Sequence, residues 1–131
     1  MGLALSDSDG RLATPLEVLE RSGSEAQDHA AIAEVVTEHG VEVVVVGLPI
    51  SLDGSMGPAA RAARAEVGRL AAVVGAPVQT CDERLSTTEA ERHLEMAEVR
   101  GSRRRHVVDM VAAAVLLQSW LDARRHESRA T

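Results

Sequence analysis

Apolar residues change their spacing several times along these 131 residues, and each change marks an element. Gly2-Leu3-Ala4-Leu5-Ser6 reads as extended chain, Ser8-Asp9-Gly10 as a turn, and residues 11–14 as the returning arm of a hairpin. Residues 16–20 alternate apolar and polar and prolong that arm, and a polar connector follows at 21–24. Ile32, Val35 and Val36 recur at helical spacing, so a helix is predicted over 25–39, stopped by Gly40. Residues 41–46 are β-branched and nearly continuous, the pattern of a strand covered on both faces. Gly47-Leu48-Pro49 then reads as a tight strand exit, followed by a polar loop through Asp53-Gly54-Ser55. Gly57-Pro58 opens a helix to about Val74, with Ala63, Val67, Leu70 and Val74 on one face. A second short strand follows at 77–81. Ser86-Thr87-Thr88-Glu89 fits a capping box for a helix over 86–97. A basic loop is predicted at 100–105 and a last helix over 104–125.

Hairpin, then helix, strand, helix, strand, helix, helix predicts an α/β fold with a mixed sheet flanked by helices. The length suits one domain, taken as residues 1–126 with a short tail at 127–131. In such sheets sites form beyond the carboxyl ends of parallel strands. Gly47-Leu48-Pro49 and Asp82-Glu83 both fall at such ends, so their loops are expected to converge.

Composition narrows the chemistry. The apolar fraction of 45% is ordinary, and the core must come from Ala, Val, Leu and Ile, since the chain has one Trp and no Phe or Tyr. The formal charge of −6 argues against a protein coated in positive potential, yet leaves room for a local basic patch. A single cysteine, Cys81, cannot form an internal disulfide. The N-terminus lacks the basic and apolar regions of a secretory signal, and the longest apolar run, 111–117, falls short of the roughly 20 residues a bilayer needs. A soluble cytoplasmic protein that keeps clear of membranes is expected.

Two carboxylates stand out. Glu83 follows a strand, and Asp109 sits in the first turns of an apolar helix with Ala112, Ala113, Leu116 and Trp120 on its stripe. A carboxylate buried on such a helix would be costly without a partner or metal. The plainer readings are a surface Glu83 paired with Arg84, and an Asp109 that faces solvent near the helix start and suits its dipole. An acid/base pair of glycosidase type fits poorly where aromatics are so scarce. A hard divalent cation such as Mg²⁺ fits oxygen donors, whereas one Cys and scattered histidines argue against zinc. Arg100, Arg103, Arg104 and Arg105 gather positive charge just before the helix of Asp109; a solvated helix start is the commoner fate of such a run, yet there it opposes the dipole and suits phosphate. Without stacking aromatics, contact with nucleic acid is expected mainly along its backbone. Cys81 reads as a core thiol.

In order along the chain, Gly2-Leu3-Ala4-Leu5-Ser6-Asp7, Ala13-Thr14-Pro15-Leu16, Val45-Val46-Gly47-Leu48-Pro49, Leu52-Asp53-Gly54-Ser55, Asp82-Glu83-Arg84-Leu85-Ser86-Thr87 and Asp109 with Ala112-Ala113-Ala114 and Leu117-Gln118-Ser119-Trp120-Leu121 resemble the YqgF family. Its members are described as pre-16S ribosomal RNA nucleases or Holliday junction resolvase-like proteins. The resemblance implies a ribonuclease H-like fold, with a five-stranded mixed sheet between helices. It also implies a phosphodiesterase dependent on Mg²⁺ or Mn²⁺ that processes the 5′ end of 16S rRNA. Glu83 and Asp109 match two of the three acids expected to hold metal and act in catalysis. Arg84, Arg103, Arg104 and Arg105 are the expected substrate contacts. Pre-16S rRNA is the expected partner, with branched DNA as the alternative substrate and a homodimer allowed.

The third acid belongs to an Asp-x-Gly motif on a first strand that this sequence lacks. Asp7 and Asp9, at a strand end and in a turn, are not its replacement. A start codon placed inside a longer gene is the expected explanation. A genuinely short product is the other, and it would suit a non-catalytic nucleic-acid or partner-binding module.

Overall fold

A short connection that reverses the chain needs its backbone donors satisfied, and Asp7 does this for the first hairpin. In the computed structural model, which describes residues 1–51, 53–84 and 102–130 (the side chains of 102–105 and 127–130 excepted), β1 is Gly2–Ser6 and β2 is Ala13–Val18. Asp7 Oδ1 accepts the N–H groups of Arg11 at 2.8 Å and Leu12 at 3.3 Å, while Gly10 takes the left-handed φ of 67° that the turn requires. The strands pair antiparallel, from Gly2 with Val18 to Ser6 with Ala13. Register shifts between Leu3 and Ala4, whose partners are Glu17 and Pro15. Pro15 has no N–H to give the ladder, so an irregularity there is the expected accommodation.

The helix α3, Ser102–Ala130, packs on both strands of the hairpin. Gly2 touches its backbone at Asp109, and the Gly10 turn lies against Leu121. The twelve residue steps from Asp109 to Leu121 span about 18 Å of helix, close to the length of a typical strand. Ala114 and Leu121 are buried on this side. These segments form the first of two compact units.

The second unit, Leu19–Arg84, is built from α1 (Glu25–His39), β3 (Val44–Leu48), α2 (Pro58–Ala71) and β4 (Val78–Asp82). Ser24 caps α1 by accepting the Gln27 N–H, and Gly40 ends it in the left-handed region at φ 62°. The Val41 N–H folds back to the Val36 carbonyl at 3.0 Å. Val41 is therefore committed to closing the helix, which is why β3 begins at Val44 and not at the predicted 41. At the other end the strand runs on through Gly47 and Leu48, so the expected exit begins only at Pro49. β3 and β4 are parallel, with Val44 opposite Val78 and Leu48 opposite Asp82. The core gathers Val36, Leu70 and Val74, with Ile32, Val44, Val46 and Val78 packed around them.

The protein is thus mixed α/β, with three helices and two small sheets among the described residues. Among the described residues β1 bonds to β2 and β3 to β4, and the expected joining of such strands in one mixed sheet is not seen there. No described segment provides a strand that hydrogen-bonds to both pairs. Ser102–Arg105 are helical and not part of a loop, and the last helix outruns its predicted end at 125. The helix expected over 86–97, with the Ser86-Thr87 cap, lies outside the described residues, as does Arg100.

Candidate catalytic acids and their surroundings

Parallel pairing sets Leu48 and Asp82 side by side at the carboxyl ends of β3 and β4. The Glu83 N–H donates to the Leu48 carbonyl at 3.3 Å, carrying the ladder one residue further. Glu83 is thereby fixed at the strand end and left half-buried. Burial lifts its carboxyl above the ordinary carboxylate range, and the neighbouring Asp82 charge adds to the lift. Such a group gains from a cation or a proton placed beside it.

The loop after β3 is held by its own polar groups. Asp53 Oδ1 accepts the Ser55 N–H at 2.9 Å and its hydroxyl at 2.7 Å, which holds the Asp53 carboxyl low. Gly54, at φ 86°, donates its N–H to the Ser51 carbonyl. Arg84 ties this loop to β4: Nε donates to Asp82 Oδ2 at 2.8 Å, and Nη1 to the Ser51 carbonyl at 3.3 Å. Its Nη2 also pairs with Asp82. The residue expected to grip phosphate therefore has donors on all three nitrogens engaged within the protein.

Asp109 is in the third turn of α3 and is exposed. Its carboxylate makes no hydrogen bond or ion pair among the described residues. Of the two readings of Asp109, a buried acid with a partner or a solvent-facing one near the helix start, the exposed side chain matches the second. What is close-packed is its backbone. A Cβ on Gly2 would overlap the Asp109 carbonyl and come within 2.8 Å of the Met110 nitrogen. The absent side chain of Gly2 thus lets β1 seat directly on the helix at this acid.

Glu83 belongs to the second unit and Asp109 to the first. Among the described residues no three of His, Cys, Asp and Glu converge as a metal cage. Each acid supplies oxygen donors only, and such donors suit a hard divalent cation. Arg103, Arg104 and Arg105 occupy the first turn of α3, with their side chains outside the described set. Asp7, whose carboxyl is held low chiefly by the Arg11 N–H, is a turn residue, as its sequence position suggests.

The sequence pattern did not disclose two polar assemblies. Glu66 on α2 accepts Arg21 Nη1 at 2.8 Å and lies 2.9 Å from Nε2 of the buried His29. Their separation along the chain leaves no local signal. On α3, Gln118, Asp122 and Arg125 form a polar stripe at helical spacing.

The sequence profile of the family described as "RuvX: Holliday junction resolvase" matches residues 1–123. The chain belongs to that family. Among curated relatives, a protein of Symbiobacterium thermophilum is 49% identical over 124 residues, covering 95% of this chain and 85% of its own. One from Myxococcus xanthus is 47% identical over 125 residues, covering 95% and 82%. One from Anaeromyxobacter dehalogenans is 48% identical over 124 residues, covering 95% and 90%. All three bear the name "Putative pre-16S rRNA nuclease". The RuvX match takes in β1, the Asp53 loop, Glu83 and Asp109, so both candidate acids fall on matched sequence.

Proposed function

We propose that this protein is a divalent-metal-dependent nuclease of ribonuclease H-like fold that trims the 5′ end of precursor 16S rRNA in the cytoplasm. The observation that carries the reading is Glu83, a half-buried carboxylate with a raised pKa at the end of a parallel strand pair, in a chain of the RuvX family. Strand ends of this kind are where α/β sheets place ligands. The relatives' shared name supplies the substrate class.

Glu83 and Asp109 would hold Mg²⁺ or Mn²⁺ through carboxylate oxygens. Such an ion, when bound, supplies a water of lowered pKa and Lewis-acid stabilisation of charge on the phosphoryl oxygens. The chain's own residues do the rest. Glu83 keeps one carboxylate in a partly desolvated setting, where its attraction for a cation is stronger than in water. Arg84 fixes the 51–55 loop against the strand end, and its charge is already met by Asp82. The first-turn arginines Arg103, Arg104 and Arg105 are the better candidates for holding the substrate phosphates.

Helix α3 contains a 21-residue stretch, His106–His126, long and apolar enough by composition to cross a membrane. It packs against both strands of the hairpin.

The family description favours a second reading, cleavage of four-way DNA junctions, because one fold and one metal site serve both substrates. Incubating the protein with a precursor 16S leader and with a synthetic junction, each with and without Mg²⁺, separates the two. Metal-dependent cleavage of the leader at least tenfold faster is expected. Faster junction cleavage would transfer the assignment to DNA, and cleavage of neither would remove the enzyme reading.

A further inference from the structure

The hairpin turn of the first unit lands on the polar stripe of α3, and the joint is unusually well bonded. Gln118 Oε1 accepts the Ala13 N–H at 2.9 Å, and its Nε2 donates to the Arg11 carbonyl at 2.7 Å and to Asp122 Oδ1 at 3.0 Å. Arg125 donates Nη1 to the same Arg11 carbonyl at 3.3 Å and pairs through Nη2 with Asp122. Over this joint opens a cavity of about 430 Å³ lined by Arg11, Asp122, Arg125 and His126.

The charges around that cavity do not cancel. Asp122 is met by Arg125 and by the Gln118 amide. Arg11 has its backbone pinned from both sides, by Asp7 below and by Gln118 and Arg125 above. Its guanidinium acts at a distance on the Asp7 carboxylate but has no hydrogen bond or ion pair within 4.0 Å among the described residues, and neither has the His126 ring. Arg124 is turned elsewhere, with its guanidinium 5.1 Å from the centre of the Trp120 ring. A planar fork of five N–H donors on an immobilised backbone, beside a second arginine, is suited to a phosphate oxygen pair.

We propose that this cavity is a phosphate-binding site for a polynucleotide backbone, with Arg11 as the principal contact and Arg125 as its partner. Asp122 moderates the site by holding Arg125. The choice of a polynucleotide rests on the nuclease reading above. Arg125 follows Asp109 by sixteen residues, about 24 Å along the helix and on roughly its opposite face, so the phosphate held here is not the one cleaved. The site anchors a distant part of the substrate.

Binding of a fluorescein-labelled single-stranded RNA, followed by anisotropy in EDTA across a salt series, tests this without cleavage. Arg11→Ala should weaken binding about tenfold and lower the slope of log K against log salt by about 0.7, the loss of one single-strand phosphate contact. Asp122→Ala is the sharper arm. If the cavity binds phosphate, freeing Arg125 tightens binding, whereas a merely structural stripe would loosen when Asp122 is removed. Thermal melting accompanies each variant, and Arg11→Lys, which keeps the charge but not the fork, should fall between parent and alanine. Parent-like binding and slope in Arg11→Ala, weaker binding in Asp122→Ala, or no RNA binding by the parent would each overturn the proposal. Mg²⁺-dependent cleavage by the parent, measured in parallel, should be lost in Glu83→Gln. Cleavage that behaves so while the anisotropy arms fail would sink the cavity alone and leave the nuclease reading standing.

Discussion

At the scale of single residues, Gly2 and Gly68 make opposite predictions from one rule. A Cβ at Gly2 would collide with the Asp109 backbone, whereas one at Gly68 in α2 meets nothing within 4 Å. Gly2→Ala should therefore destabilise the fold by about 1–3 kcal/mol through overpacking. Gly68→Ala should stabilise it by about 0.8–1 kcal/mol, the helix-propensity difference between these residues. Urea unfolding of both variants checks the pair. Cys81 offers a chemical check of the same kind. Burial first, then Asp82 and Glu83, push its thiol up to about 11, so thiolate is scarce at pH 8. A thiol-specific chromogen should react slowly with the native protein and quickly in denaturant; equal rates would place Cys81 in an open, polarised setting. Cys81 was expected to be a core thiol, and it stands half-buried in β4, outside the cluster around Val36, Leu70 and Val74. Sequence reading left Asp109 open between burial and solvent, because an apolar stripe does not show which part of a helix its neighbours cover.

At the scale of elements, the α1–α2 contact is clamped by charge. Arg21 and His29 converge on Glu66, and Arg69 meets Glu25 with Nε and Nη2. Hydrogen bonds from these partners hold Glu66 and Glu25 below the ordinary value of 4.5, and the Ser22 N–H and hydroxyl hold Asp28 below 3.8. Depressed folded values mean stability that is full above about pH 5 and is lost as pH falls through the lowered values. Melting temperature should accordingly decline below pH 5, and the decline should be shallower in Glu66→Gln. A Glu66→Ala change leaves the buried His29 without its bond and should cost about 1–3 kcal/mol. Helix α1 was legible to the residue because Ser24 and Gly40 mark its ends. Strand β3 was not, since the Gly40 cap draws Val41 back to Val36, and a run of valines looks the same whichever of them the cap claims.

At the scale of the whole molecule, family membership and the mixed α/β order of elements point the same way, while among the described residues β1 and β2 make one pair and β3 and β4 another. The order of elements was readable from periodicity and turn residues. Which strands bond to which was not, because pairing between distant segments has no local signature. Glu83 was legible as a strand-end acid, but its raised pKa depends on how deeply the ladder carries it, and that is a tertiary quantity. The clustering of arginine before Asp109 was visible. That Arg84 would turn inward onto Asp82 and the Ser51 carbonyl was not.

The central claim is that Glu83 and Asp109 share one cation, and a double-mutant cycle on metal affinity tests it. Mn²⁺ binding, read by calorimetry, should weaken at least tenfold in Glu83→Gln and in Asp109→Asn. The double variant should lose little more than either single one, since two ligands of one ion are strongly coupled. Losses that simply add, or an affinity unmoved by either change, would contradict a shared site.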